Sequence, residues 1–307
     1  MKPLGRSLLK SSWAAWLMLS VMSAFAQQGS GAHPNPSQSP VKPQSQTTTP
    51  SQPDTFPTQM DPWDQNELIQ RSNNDPVSSK IAEGNNCFLP PLNGLLPATV
   101  GVADLQLPAK ARREYRDGCV AVRNNKIVEA ESHLRKAVKQ SPKYSAAWVV
   151  LGQLLEAQQR NKEAGDACSQ PIANDVSYLP AYLCLADVAA RSENWEKVLA
   201  LSIRALEIDH TTVAAAYDYN AAANLHLRDL PQAEKSALRA AEIDKSNTDP
   251  RVHFLLAQIY EAKGDRVAEA AQLREYLKYA GNPSDAAMVR KYLSDLDQRT
   301  KQSSQAN

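Results

Sequence analysis

Apolar and polar positions divide the chain into stretches of very different character. Trp13 to Phe25 is apolar and follows a positive start at Lys2, Arg6 and Lys10. With the small–x–small triplet Ala24-Phe25-Ala26, it predicts an export signal over 1–26, cut after Ala26. The run is short for a membrane span, which takes about 20 residues, and no Cys at the cleavage point offers a lipid anchor. Residues 27–84 consist largely of Pro, Gln, Ser, Thr and Asn, as in HPNPSQSPVKPQSQTTTPSQP. So little apolar surface does not offset the entropy of ordering, and a disordered tether is expected there. Residues 85–107 turn apolar again but Pro-rich. They predict an extended segment packed on the first helices after it, with TVGVADLQL as either a short strand or part of that pad. Beyond 108, Ala-rich blocks and scarce Gly favour helix over strand. Near the end, Met288, Val289, Tyr292, Leu293 and Leu296 form an i, i+3/i+4 stripe, a last helix over 284–298 with Ser284 as its N-cap and Asp285 in its first turn. Residues 299–307 are expected to be disordered.

The Ala-rich blocks repeat. Aligned on a small residue in one helix and an Ala in the next, units start at Ala111, Ser145 and Leu179, 34 residues apart. Two more begin near Ala214 and Pro250, after slips of one and two residues. The clearest unit reads SAAWVVLGQLLEAQQRNKEAGDAC, with Trp148, Leu151, Gly152 and Leu155 at the spacing W-x2-L-G-x2-Y and Ala164 twelve residues after Gly152. Small residues at Gly118, Gly152, Ala186, Ala221 and Ala257 admit close helix approach, answered by Ala130, Ala164, Ala233 and Ala270, with Val198 the exception in the third unit. Trp148, Tyr182 and Tyr217 are large enough to fill the space between. The first unit has Glu114 and Asp117 where Trp and Leu are usual, as suits a terminal unit with one wet face.

In these residues the segment 108–283 resembles the tetratricopeptide repeat family, helix–turn–helix units of about 34 residues. The resemblance implies an all-α fold. It would be a right-handed α-solenoid of about five units plus a C-terminal capping helix, preceded by the disordered arm. It also implies a concave groove lined by the first helix of each unit. On this sequence that places Arg112, Tyr115 and Cys119, then Val149, Gln153 and Glu156, then Leu183, Asp187 and Arg191, then Asp218, Ala222 and His226, and last Phe254, Gln258 and Glu261. Of these, Arg191, Tyr115 and Phe254 are the residue types that most often carry binding energy. Some family members grip a C-terminal carboxylate with a Lys/Asn clamp. The matching pairs here, Val149/Gln153 and Leu183/Asp187, lack the cationic donor, so an extended or helical peptide is the better guest.

Composition and motifs narrow the chemistry. A net charge of +1 offers no field for nucleic acid. The five histidines form no H-x3-H or H-E-x-x-H pair, and G-x-S-x-G, Walker A and G-x-G-x-x-G sequences are absent. Neither a cofactor nor a metal is implied, and no mature membrane span. A protein or peptide partner in a bacterial periplasm or outside the cell is expected of a non-catalytic scaffold. The alternatives are a catalytic or small-ligand site built by 85–107 on the first unit, where Cys87 is the one candidate nucleophile, or a purely structural spacer.

Four cysteines in an exported chain invite disulfides. In the repeat frame that the resemblance supplies, Cys168 lies on the second helix of unit two and Cys184 on the first of unit three. Neighbouring helices bring such a pair within bridging reach, leaving Cys87 to Cys119; the alternative is free buried thiols. Pro180 falls in a first helical turn, where it is tolerated. Pro171 falls inside a second helix, which it should kink or shorten.

Overall fold

The structure is a computed structural model, and it describes residues 87–89, 92, 95, 107–245, 249–280 and 283–305, with backbone only at 283–284 and 301–305. All of them lie in one compact unit spanning Ser51–Asn307. The expected signal, the tether and all of the stretch TVGVADLQL but its last residue, Leu107, fall outside the described residues.

The described residues form eleven helices and no strand. Ten make antiparallel pairs in chain order: α1 (Ala109–Arg123) with α2 (Ile127–Gln140), α3 (Ser145–Ala157) with α4 (Asn161–Asn174), α5 (Leu179–Arg191) with α6 (Trp195–Ile208), α7 (Ala214–His226) with α8 (Leu230–Ile243), and α9 (Arg251–Lys263) with α10 (Arg266–Tyr279). The last, α11 (Pro283–Gln305), packs on α10. Each second helix also packs on the first helix of the next pair, and α3, α5, α7 and α9 touch in succession, so the first helices build one continuous face. This is the five-unit solenoid with its cap.

One device makes all five turns inside the pairs. The residues Asn125, Gln159, Glu193, Arg228 and Gly264 have positive φ, in steps of 34, 34, 35 and 36 residues, the same slips the sequence shows. Each turn closes a Schellman motif. The amide after the left-handed residue reaches back five residues: Lys126 to Ala121, Arg160 to Leu155, Asn194 to Ala189, Asp229 to Asn224 and Asp265 to Tyr260, at 2.8–3.0 Å. Only the fifth turn uses glycine, the residue for which this backbone carries no steric cost. Asn194, Asp229 and Asp265 then cap the helix that comes after by accepting from Lys197, Gln232 and Ala268 N–H groups.

Inside each pair the small residues meet as expected. A Cβ on Gly118 would stand 3.1 Å from Leu134 Cγ. A Cβ on Gly152 would stand 2.4 Å from Cys168 Sγ, which no side-chain adjustment accommodates. Ala130, Ala164, Ala233 and Val198 are fully buried and Ala270 nearly so, so the larger Val is absorbed in the third pair.

The aromatic residues do more than fill space. Trp148 Nε1–H donates to Pro142 O at 2.8 Å, Tyr182 O–H to Val176 O at 2.8 Å and Tyr217 O–H to His210 O at 3.0 Å. Each ties its helix to the loop that precedes it. The terminal pairs put polar residues at the same position, and these reach across their own pair instead. Glu114 meets His133 Nδ1 at 2.8 Å, a bond that holds the Glu114 carboxyl below the usual range, and His253 Nδ1 meets Gln272 at 2.9 Å.

Three helix ends differ from expectation. Pro171 does not shorten α4, which has 14 residues like the other four second helices. The proline removes only the bond to the Ala167 carbonyl, near the C-terminus of the helix, and buries its ring at the joint. Ser284 is the second residue of α11 rather than its cap, because Pro283 takes the first position, where its fixed φ suits a helix start. That helix also continues past 298 to Gln305, since residues 299–305 include no Gly or Pro to stop it. Its Val289, Tyr292 and Leu296 close the core formed by Phe254, Leu273 and Tyr276.

Candidate functional site

The face formed by the first helices is already occupied at its start. Cys87 is bonded to Cys119 on α1, with Cα atoms 5.6 Å apart. The Cys87 N–H donates to the Tyr115 hydroxyl at 3.1 Å. Two residues on, the Gln153 side chain of α3 grips the main chain of Leu89: Leu89 N–H donates to Oε1 at 3.0 Å, and Nε2 donates to Leu89 O at 2.9 Å. Phe88, Leu89 and Leu92 are buried in the core continuous with the first three pairs. Leu92 N–H donates to Leu89 O at 2.9 Å, and Leu95 N–H to Leu92 O at 3.0 Å. Residues 87–89 and 92 thus form a strap against the first two repeats.

Cys119, Gln153, Asp187, Ala222 and Gln258 hold equivalent positions in α1, α3, α5, α7 and α9. Past Gln153 the face becomes charged. Glu156 on α3 pairs with Arg191 on α5, both largely shielded from solvent. The Tyr219 hydroxyl on α7 lies beside Asp187; burial first, and then that carboxylate, hold it well above its ordinary value. Asp218 on α7 is buried, and burial together with the Asp249 carboxylate pushes it up to about 8, against the pull of Arg251. Arg251 on α9 holds Asp249 through Nε at 2.7 and 2.9 Å.

The structure thus brings Tyr115 and Gln153 together around the strap. It pairs Glu156 with Arg191, sets Asp187 beside Tyr219, and sets Asp218 near Asp249 and Arg251. Two expected groove residues lie elsewhere. Phe254 is 1% exposed and packs on Tyr276, with ring centroids 5.6 Å apart, so it belongs to the core beneath the cap. His226 is exposed at the end of α7 and stacks on Trp195, with centroids 3.7 Å apart. Arg112 is exposed at the start of α1, while Gln258 remains half-buried on the face. The expectation that Tyr115 and Phe254 are available to a guest is corrected by their burial.

The joints between repeats differ by one residue type at a shared position. At the second joint Cys168 is bonded to Cys184, with Cα atoms 5.8 Å apart, so both expected pairings are present. At the third, Ser202 replaces Cys168, and its hydroxyl accepts from Asn220 Nδ2 at 3.1 Å. Asn220 Oδ1 in turn accepts from Ser236 at 2.8 Å and Asn224 at 2.9 Å. Sequence reading missed this joint and the Gln153 grip. The available signals were Gln153 and Asn220, amides set among otherwise apolar or Ala-rich helical residues.

Among the described residues no cluster of His, Cys, Asp and Glu is arranged to hold a metal ion. No helix there is long and apolar enough to cross a membrane.

Stacked helix pairs of this length, with small residues at the crossings and one face built by the first helices, define a tetratricopeptide-repeat solenoid. A tetratricopeptide repeat profile matches residues 115–175. PilW, a type IV pilus biogenesis factor, is similar in structure: TM-score 0.57 and 14% identity over 63% of this chain and 89% of that one. The yeast protein Tom70 is similar over 62% of this chain and 41% of its own, with TM-score 0.53 and 12% identity. A thermophilic tetratricopeptide-repeat protein of Thermus thermophilus is similar over 61% of this chain and 98% of its own, with TM-score 0.50 and 18% identity. At these identities the likeness is one of fold. No curated protein matches the chain.

Proposed function

We propose that the chain is a non-catalytic protein–protein interaction scaffold of the bacterial cell envelope, exported to the periplasm or beyond, which takes a peptide segment of its partner on the face of the first helices. The observation that carries this reading is the Gln153–Leu89 pair of hydrogen bonds. A side-chain amide that reads main-chain N–H and C=O together is a device for holding a peptide regardless of its side chains. Two disulfides favour an oxidising compartment. The rival reading, a catalytic site at 85–107, loses its one candidate nucleophile, because Cys87 is bonded to Cys119.

The test is recovery of a partner from envelope extract on immobilised full-length chain, compared with Gln258→Arg and Arg112→Glu, which alter the reachable ends of the face. Specific recovery reduced at least about tenfold by either variant, roughly 1.4 kcal/mol, is expected. A partner recovered equally by all three chains contradicts the reading.

A further inference from the structure

The strap over the first two repeats has the contacts of a bound ligand rather than of a structural element. It is gripped through its main chain by one side chain, Gln153, and through its first amide by another, the Tyr115 hydroxyl. It contributes three buried apolar side chains, Phe88, Leu89 and Leu92. A disulfide joins it to the face, and that disulfide is the more open of the two: Cys87 is half-buried, whereas Cys168 and Cys184 are enclosed.

We infer that residues 87–89 and 92 are a built-in occupant of a peptide site formed by α1 and α3, and that the Cys87–Cys119 bond keeps this site closed. The inference deepens the function proposed above and rests on it. It specifies the guest as a peptide with the strap's own pattern, Phe-Leu-x-x-Leu, whose main chain replaces that of Leu89 on Gln153. Opening needs a dithiol reductant. One of its thiolates attacks a sulfur of the Cys87–Cys119 bond, which breaks as a mixed disulfide forms and the other cysteine leaves as a thiolate and takes up a proton. The second thiol of the reductant, as its thiolate, then displaces the remaining cysteine, which leaves as a thiolate and takes up a proton in turn. Two electrons pass to the protein, and the reductant ends as a disulfide. Accessibility directs this attack to the strap and not to the enclosed pair at the second joint.

The probe is a fluorescent peptide with the sequence of residues 86–96 and Ser in place of Cys87. It is titrated against the oxidised full-length chain and against an open full-length chain carrying Cys87→Ser, Cys119→Ser, Phe88→Asp, Leu89→Asp and Leu92→Asp. The Asp substitutions matter, because a tethered strap competes at millimolar effective concentration. The open chain is expected to bind the peptide at least about tenfold more tightly than the oxidised chain, and Gln153→Ala in the open chain to remove most of that gain. Equal binding to both chains, or none to a folded open chain, overturns the inference. So does an open chain that loses its helical circular dichroism, which makes the strap part of the core. A dimer formed by the Cys87→Ser, Cys119→Ser chain with no affinity for the peptide also overturns it, since the occupant is then a second copy's strap. Partner recovery that is the same from oxidised and open chains removes the gate but leaves the scaffold function standing.

Discussion

Repeats one and two differ from repeats three to five in what meets the face of their first helices. In the first two, the strap covers it: Cys119 is bonded to the strap and Gln153 is hydrogen-bonded to it, while the Glu156 carboxylate turns to Arg191 of the third repeat. In the later ones it carries ionisable groups, the buried Asp187, Asp218 and Arg251 and the half-buried Arg191, along α5, α7 and α9. The joints repeat the contrast. Cys168 makes a covalent link where Ser202, at the same place in the next repeat, makes a hydrogen bond. A solenoid's stability is a sum of repeat and joint contributions, so the fold tolerates either chemistry. The first half is thereby held in one arrangement, and the second half is left sensitive to protonation.

Four sets of substitutions sharpen or break that contrast. The largest effect is expected from Gly152→Ala, whose Cβ would meet the Cys168 sulfur at 2.4 Å and the Cys184 sulfur at 3.1 Å. Destabilisation of about 3 kcal/mol is expected in denaturant unfolding, with free thiols appearing under mild oxidation. Gly118→Ala, whose Cβ would meet Leu134 Cγ at 3.1 Å and His133 Cβ at 3.4 Å, should lose about 1 kcal/mol.

Next comes the joint pair. Cys168→Ala with Cys184→Ala opens a loop of sequence separation 16 and should lose about 3 kcal/mol. Ser202→Ala should lose about 1 kcal/mol, the scale of one hydrogen bond. Equal losses would mean that the two joints are equivalent after all.

The third concerns pH. Asp218 is raised to about 8 in the folded chain, above its unfolded value of about 3.9. The folded chain therefore holds an extra proton between those limits, and stability falls as pH rises through the window, by at most about 1.4 kcal/mol per pH unit. Asp218→Asn should flatten that slope between pH 4 and pH 8 and leave the Cys168–Cys184 joint unchanged. Denaturation midpoints across this range check it.

The smallest effect is expected at the turns. Arg228→Gly or Gln159→Gly relieves a left-handed residue and should stabilise by up to about 1 kcal/mol, whereas Gly264→Ala should cost a similar amount. Gains of the same size in both halves would show that the contrast lies in the face and joints and not in the turns.

Much of the fold was legible in the sequence because the period and its slips are local. Gly152, Ala164 and their counterparts mark helix crossings wherever they recur, and the turn residues fall at the same steps. The Cys168–Cys184 pairing followed once the repeat frame placed both residues on helices, and Cys87–Cys119 was the pair that remained. The candidate site was legible only as a set of positions. Tyr115 and Phe254 occupy first-helix positions equivalent to those of their neighbours, but burial depends on what lies over each, and the pattern of one helix does not record that. Tyr115 is covered by a strap distant in sequence, and Phe254 sits above the capping helix. The roles of Trp148, Tyr182 and Tyr217 were missed for a related reason, since hydrophobic spacing says nothing of where an N–H or O–H finds its acceptor.

The central claim is that Gln153 holds the main chain of Leu89 on the face of the first helices, and the Leu89 amide tests it most directly. In native-state hydrogen exchange of the oxidised full-length chain, that amide should be protected to the degree of α3 amides, and Gln153→Ala should remove the protection while leaving α3 itself protected. A Leu89 amide that exchanges at the rate of an unstructured peptide in the unaltered chain would contradict the account.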